Sequence, residues 1–342
     1  MTTALPPSNR AAVLTGIGEI AVEEVPVPEL APDQILVRVD AVGVCGSDAH
    51  YFRHGRIGSY VVTGPLILGH ETAGTVVAAG PEAGGHQVGD RVAIEPGVPC
   101  GRCDICRRGR YNLCPDVAFH ATPPVDGTLR EYVAVRGDYA FRLPDGVPVE
   151  QGALAEPLAV SVWACRKAGV APGTRVLVTG AGPVGLLTAQ TALAFGASSV
   201  VITDVDPAKR ALAETLGAMT VDATELGASA GEFDVHVECS GNPQATGDGI
   251  GRLARGGTAV LVGMGGDDAL DVPVSLIQER ELVITGVFRY ADCFPTAIEL
   301  IASGRVRVAE LISGRYPLSE AGTAIDTAGR ASVCKTLILP QG

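Results

Sequence analysis

The chain has 342 residues, 46% of them hydrophobic and 19% charged, with a formal net charge of −12. That length suits two domains with cores of their own. The acidic balance disfavours a general nucleic-acid or anionic-membrane binder, because both recruit an excess of Lys and Arg.

Met1 to Asn9 is polar and Pro-containing, without the apolar stretch of a signal peptide. Residues 11 to 25 read as two short strands around Gly16-Ile17-Gly18, and Pro26, Pro28 and Pro32 then break the pattern. The alternating run Ile35 to Val44 is a strand, and it delivers Cys45 at its end into a short polar segment, Gly46 to Tyr51. Arg53 to Gly64 reads as loop. Thr72 to Ala79 and Arg91 to Ile94 read as strands, the second after the turn signal Gly89-Asp90. This is the rhythm of a small β-rich domain.

Gly69-His70-Glu71 lies between these strands, and Glu156 follows much later in Leu154-Ala155-Glu156-Pro157-Leu158. Thiolate, imidazole and carboxylate are the side chains that bind catalytic zinc, which keeps one position open for water or substrate. Taken singly, each has a plainer reading. A lone Cys is usually a small buried hydrophobe, and a lone His-Glu pair a satisfied polar contact.

Of the nine cysteines, Cys100, Cys103, Cys106 and Cys114 crowd into 15 residues. Four thiolates at these spacings can close a tetrahedron around a zinc, and a site so closed is structural. Two disulfides would strain so short a loop. In a long chain without a secretory signal the pattern favours metal, and a reducing cytoplasm as the location. Arg107, Arg108 and Arg110 beside the cluster are one basic patch in an acidic chain, read as a solvated face rather than a nucleic-acid knuckle.

After the strand Leu129 to Val135 and the turn Leu143 to Gly146, the rhythm changes at about residue 150. Strands at 175–179, 199–203, 218–221, 233–238, 257–262 and 282–286 alternate with helical patterns, notably 183–195, 207–217 and 243–254. Such alternation predicts an α/β, doubly wound parallel sheet. From Val176 to Thr203 no residue is charged, but the glycines and Pro183 within it and its β-branched ends predict strand, helix and strand rather than a membrane span.

The strand Val176 to Thr179 runs into Gly180-Ala181-Gly182-Pro183-Val184-Gly185 and a helix, and Asp204 ends the next strand 19 residues past Gly185. That context is the dinucleotide fingerprint. Gly180 permits the turn, Gly182 lets backbone approach pyrophosphate, Gly185 packs helix on strand, and the helix N-terminus offers donors to phosphate. Asp204 is placed to accept from the ribose hydroxyls of NAD and to repel the extra phosphate of NADP, while Lys209 and Arg210 temper that preference. Beyond Gly286, a helix at 292–303, a strand near 312, a helix at 319–328 and a strand at 334–339 close the chain.

By these residues the chain resembles the zinc-dependent medium-chain alcohol and polyol dehydrogenases, over about residues 10 to 339. The carriers are Gly43 to Asp48, Gly69 to Gly74, Val88 to Val92, the four-cysteine lobe and the fingerprint. Tyr51, the segment His54 to Gly58, Glu95-Pro96-Gly97, Gly109 to Leu113, Ala121 to Pro124, Glu156-Pro157-Leu158 and Gly286 to Tyr290 bring it nearest the sorbitol and xylitol dehydrogenases. The resemblance implies a β-rich GroES-like catalytic domain from residues 1–155 and 290–342. It implies a Rossmann NAD-binding domain from 156–289, with the active site in the cleft between.

It implies Cys45, His70 and Glu71 as ligands of a catalytic zinc, with water as the fourth. Glu156 is either a direct ligand in place of Glu71 or a partner reached through water. Cys165 does not match a ligand position and reads as core. Ser47 and His50 match a proton relay, with zinc-bound water and Glu156 as the rival base. Pro183, Val184, Lys209, Val262 and Phe288 join the fingerprint glycines and Asp204 in holding NAD. Tyr51, Phe119, Thr122, Arg289 and Tyr290 form the expected substrate pocket.

The implied reaction is oxidation of a secondary hydroxyl of a polyol to a ketone, by hydride transfer to NAD. The alternatives are a cyclitol, an amino-cyclitol, threonine or a simple alcohol as substrate, or a non-catalytic NAD- and zinc-binding protein on the same fold. The implied assembly is a homotetramer, with a homodimer as the alternative, and neither nucleic acid nor membrane is an expected partner.

Overall fold

The computed structural model describes residues 8–226, 232–265, 269, 272, 274–330 and 333–342. Most of the expected polar N-terminus, and the other residues of the chain, lie outside that set. By contact the chain forms two compact units, Met1–Glu156 with Val308–Gly342, and Pro157–Arg307.

The first unit is built on strands. β1 (Asn9–Gly16) and β2 (Glu19–Val25) pair antiparallel. β3 (Gln34–Gly43) is the centre of a seven-stranded sheet with β4 (Glu71–Ala79), β5 (Arg91–Ile94), β6 (Tyr132–Arg136) and β7 (Ala140–Arg142), completed by two strands from the end of the chain. Its inner face is β-branched and aliphatic. Ile35, Val37, Val39 and Val42 of β3 are almost wholly buried with Leu68, Ile94, Val133 and Ile338. Each such side chain contributes about 1.5–3 kcal/mol by leaving water.

Between β3 and β4 the segment expected as polar chain and loop is a helix, α1 (Gly46–His54), followed by a two-strand hairpin at 56–57 and 60–61. The helix escapes a search for periodic apolar residues because its stability is local and tertiary. Asp48 at N3 accepts from the Cys45 N–H at the cap, at 3.0 Å. Gly55 closes the other end at φ 67, a left-handed C-cap. Tyr51 and Phe52 bury in the core.

The second unit opens with α2 (Ala155–Ala168), a helix missing from the sequence reading, whose first two residues belong to the first unit. β8 (Arg175–Thr179), α3 (Pro183–Ala194), β9 (Ser199–Asp204), α4 (Pro207–Thr215), β10 (Met219–Asp222), β11 (Phe233–Glu238), α5 (Pro243–Gly251), β12 (Leu253–Leu261), α6 (Val274–Arg280) and β13 (Val283–Gly286) follow. The sheet is parallel in the order β10-β9-β8-β11-β12-β13. That order reverses between β8 and β11, which places a ligand crevice at the carboxyl ends of those strands. The uncharged stretch from Val176 to Thr203 is β8, α3 and β9. Among the described residues no helix is long and apolar enough to cross a membrane.

This unit extends to Arg307, beyond the expected boundary at 289, because α7 (Phe294–Ala302) and its flanks are held by the unit's own residues. Arg166 donates to the Asp292 carbonyl at 2.6 Å and to Thr296 Oγ1 at 2.8 Å, and the Arg307 N–H donates to Gln190 at 2.8 Å. The chain then returns to the first unit through β14 (Ile312–Pro317), α8 (Ala321–Thr327) and β15 (Lys335–Leu339). β15 joins the β3 edge with Leu337 opposite Gly43 and Ile338 opposite Val42.

Candidate active site

Three elements converge at the end of β3. Cys45 caps α1, while His70 and Glu71 stand at the start of β4, whose register sets Glu71 opposite Gly43. One donor atom from each of Cys45, His70 and Glu71 lies within 4.8 Å of the others. The site needs Gly43, since a Cβ there would stand 2.1 Å from Glu71 Oε2.

His70 and Glu71 are buried, Cys45 half-buried. Burial opposes a charge on His70, but the neighbouring Cys45, Asp48 and Glu156 outweigh it and push the imidazole up to about 10. A thiol, an imidazole and a carboxylate brought this close form a donor set that suits a dication. Glu156, on the first turn of α2, lies outside the converging group of three yet within electrostatic reach of His70. Phe119 stands beside His70, ring centroids 5.7 Å apart.

Two residues absent from the sequence reading of this site hold it in place. Asp48 accepts from the Cys45 and Gly69 N–H groups, each at 3.0 Å, and its Oδ1 lies 3.8 Å from His70 Nδ1. Burial raises its carboxyl above the usual range. Lys335 of β15 donates to both Glu71 oxygens. Asp48 had a signal, the N3 position of a capping box. Lys335 had a weaker one, a lysine heading an apolar strand, where a buried ammonium requires a partner.

Ser47 and His50 share α1 with the cap. His50 is pressed below its usual range by burial first, then by His54 and Arg53. Tyr51 of the same helix is 3% exposed, its ring in the core cluster. Thr122 sits in a tight turn, its N–H donating to Phe119 O at 3.1 Å. In the second unit, the Arg289 guanidinium lies 4.7 Å from the centre of the Phe288 ring, and Tyr290 is buried against Phe294.

The four-cysteine lobe is a second centre. The sulfurs of Cys100, Cys103, Cys106 and Cys114 fall within 4.8 Å of one another, with Cys103 to Cys106 at 3.4 Å and Cys103 to Cys114 at 4.0 Å. Four sulfurs about 2.3 Å from one zinc would stand roughly 3.8 Å apart. Backbone N–H groups of Arg102 and Cys103 draw the Cys100 thiol down to about 6, while desolvation pushes Cys106 up to about 12. Four thiols gathered this closely suit a metal, which would hold all of them as thiolates. Cys165 is fully buried, as core.

In the second unit the glycine loop is tightly packed and opens into the N-terminus of α3. Gly180 takes φ 92, and a Cβ there would press on Ser240 at 2.9 Å. Gly182 caps α3 with extended backbone and open space where a side chain would be, and Pro183 is the first helical residue. A Cβ on Gly185 would stand 1.8 Å from Gly180 O. The Asp204 carboxylate accepts from the Ala181 and Asp206 N–H groups at 2.8 and 2.9 Å, so it braces the loop as well as ending β9. Val184, Lys209 and Val262 are half-buried, while Phe288 is exposed.

The chain is similar to known proteins. Residues 31–145 match the alcohol dehydrogenase GroES-like domain family, and residues 183–303 the zinc-binding dehydrogenase family. The chain is 42% identical to the sorbitol dehydrogenase of Bacillus subtilis (strain 168), over 96% of each chain. It is 42% identical to that of Rattus norvegicus, over 96% of this chain and 95% of the other. Among solved structures, a zinc-binding dehydrogenase of Sinorhizobium meliloti 1021, bound to NADP, superposes with a TM-score of 0.91. It is 33% identical, over 98% of this chain and all of the other.

Proposed function

The chain belongs to the zinc-binding alcohol dehydrogenases, and from that membership we propose that it is a polyol dehydrogenase, oxidising a secondary hydroxyl of a sorbitol- or xylitol-like substrate to a ketone with NAD. One observation carries the reading. The metal group is Cys45, His70 and Glu71, with Glu156 nearby, in a chain 42% identical to sorbitol dehydrogenases over nearly its whole length.

A zinc held there would supply Lewis-acid polarisation of the substrate hydroxyl, and a bound nicotinamide would supply the hydride acceptor. The chain's residues do the rest. Cys45, His70 and Glu71 hold the catalytic metal; Cys100, Cys103, Cys106 and Cys114 hold the structural one. The hydroxyl proton leaves either through water oriented by Glu156 or through the relay of Ser47 and His50. Phe119 walls the pocket beside His70, and Tyr51, Thr122, Arg289 and Tyr290 meet the remaining hydroxyls. Such partners matter because a site built to bond a hydroxyl rejects analogues lacking it. Gly180, Gly182, Pro183, Val184 and Gly185 cradle the pyrophosphate, Asp204 and Lys209 the adenosine ribose, and Val262 and Phe288 the rest of NAD. The assembly we propose is a homotetramer in the cytoplasm.

The test is NAD reduction followed by absorbance with sorbitol, xylitol, ribitol, galactitol, myo-inositol, threonine and ethanol, before and after chelation and zinc restoration. Turnover of linear polyols, lost with the chelator and regained with zinc, is expected. Turnover of threonine, inositol or ethanol alone would overturn the polyol assignment and leave the zinc chemistry standing.

A further inference from the structure

β9 and β10 run parallel and end side by side, with Asp204 opposite Asp222. Arg210 of α4 joins the two ends. Its Nη1 donates to the Asp204 main-chain oxygen at 2.6 Å and stands 2.9 Å from Asp222 Oδ2. Asp222 is fixed in turn by Thr224, whose N–H and hydroxyl reach Asp222 Oδ1 at 3.0 and 2.7 Å. Both side chains of the ion pair are partly buried.

This corner of the crevice receives the adenosine ribose of a dinucleotide, and the cofactor that carries a 2′-phosphate would bring a dianion to it. The fold itself does not forbid that cofactor, since the relative from Sinorhizobium meliloti, similar over the whole chain, is bound to NADP. Selection therefore belongs to side chains here. A guanidinium is the group best matched to a phosphate, in charge and in the fork of its donors. This chain has one in place, six residues past Asp204, and an aspartate of the next strand holds it.

We propose that Asp222 is a specificity-determining residue: by pairing with Arg210 it withholds that guanidinium from a ribose 2′-phosphate and keeps the enzyme on the unphosphorylated cofactor. The proposal rests on the NAD reading above. It divides discrimination between two acids. Asp204 acts on the ribose directly, and Asp222 acts through Arg210, with no contact to the cofactor.

The experiment is equilibrium binding of ADP-ribose and of its 2′-phosphate to the full chain, by calorimetry, which needs no turnover. The proteins are the wild type, Asp222→Asn, Arg210→Gln and the double variant. Asn keeps the acceptor for Thr224 and loses the charge, and ADP-ribose binding reports that each variant is folded. Asp222→Asn should tighten the phosphorylated ligand about tenfold relative to ADP-ribose, and Arg210→Gln should abolish that gain in the double variant. No gain in Asp222→Asn overturns the proposal. So does an equal gain in the double variant, which would come from charge removal and not from a released Arg210. A wild type that binds neither ligand overturns the NAD reading and the proposal with it. ADP-ribose binding with no effect of the variants overturns the proposal alone.

Discussion

Lys335 donates to both carboxylate oxygens of Glu71, at 2.7 and 2.8 Å, from the far end of the chain. The same ammonium donates to Val44 O at 3.0 Å, so the last strand reaches the residue before Cys45 as well. Both side chains are at most 3% exposed. The lysine keeps its charge there. Desolvation opposes it, but Glu71 and Cys45 more than compensate, and its pKa is raised. A carboxylate so held has one orientation, and the closing strand β15 supplies it.

Lys335→Met should therefore destabilise the protein by about 3–5 kcal/mol in the metal-free state, the cost of leaving one partner of a buried pair uncompensated. Zinc should recover part of that loss, because a dication gives Glu71 another partner. Urea unfolding with and without zinc checks it. An unchanged midpoint in both conditions would mean that the pair carries no weight.

Gly43→Ala tests the same carboxylate from its other side. The new methyl would stand 2.1 Å from Glu71 Oε2, and the strand pairing of β3 with β4 leaves the backbone little room to move. The expected outcome is a drop from two zincs per chain toward one, the four-cysteine zinc remaining. Turnover should fall about 10–100-fold, as for other losses of support around a metal. Metal analysis of the dialysed variant decides. Full occupancy of both sites would show that Glu71 is not needed for binding.

How far these features are legible in the sequence depends on separation along the chain. The four cysteines are local, and their spacing alone brings their sulfurs together. The fingerprint is local too, and β8, α3 and β9 follow the pattern of residues 175–204 closely. Cys45 and His70 are 25 residues apart, so their meeting could be expected only from resemblance. Lys335 meets Glu71 through a strand pairing that no local pattern encodes. α1 was hidden for another reason, since a short polar helix that rests on a cap and two buried aromatics leaves no apolar period to find. The second unit runs on to Arg307 because α7 packs on Arg166 and its neighbours, a tertiary choice that no local pattern encodes.

His236 gives a pH test within the cofactor unit. It lies in the centre of β11, fully buried, with Thr179 Oγ1 3.0 Å from its Nε2. A Cβ on Gly249 would stand 2.2 Å from the ring, so α5 packs directly on it. Burial drives its pKa from 6.5 down to about 3. The folded pKa is lowered, so the unfolded chain binds this proton first as the solution is acidified. Its contribution to stability is whole above about pH 6.5 and is lost as pH falls toward 3. At pH 5 the loss is about 2 kcal/mol. Urea unfolding at pH 7 and pH 5 should show that decrement in the wild type and a smaller one in His236→Gln. Equal decrements would remove His236 from the account.

Glu238 tests how the cofactor crevice keeps its shape. This buried residue ends β11, and its Oε1 accepts from the Ser240 N–H at 2.6 Å, the Ser240 hydroxyl at 2.5 Å and the Gly241 N–H at 2.9 Å. The loop so gathered touches its neighbours on both sides. A Cβ on Gly180 would meet Ser240 at 2.9 Å, and one on Gly263 would meet Gly241 N at 2.3 Å and Glu238 Oε2 at 2.7 Å. One carboxylate oxygen thus sets the spacing of the turns that follow β8, β11 and β12. Removing it takes away the shared acceptor of three donors that hold the loop together. Glu238→Ala should weaken NAD binding about 10–100-fold while turnover at saturating NAD falls far less. Glu238→Gln, which keeps the acceptor oxygen, should stay within a few-fold of the wild type. Titration of protein fluorescence with NAD, beside kcat at saturation, separates the two effects. Equal binding by all three proteins would mean that the loop holds its shape through glycine packing alone.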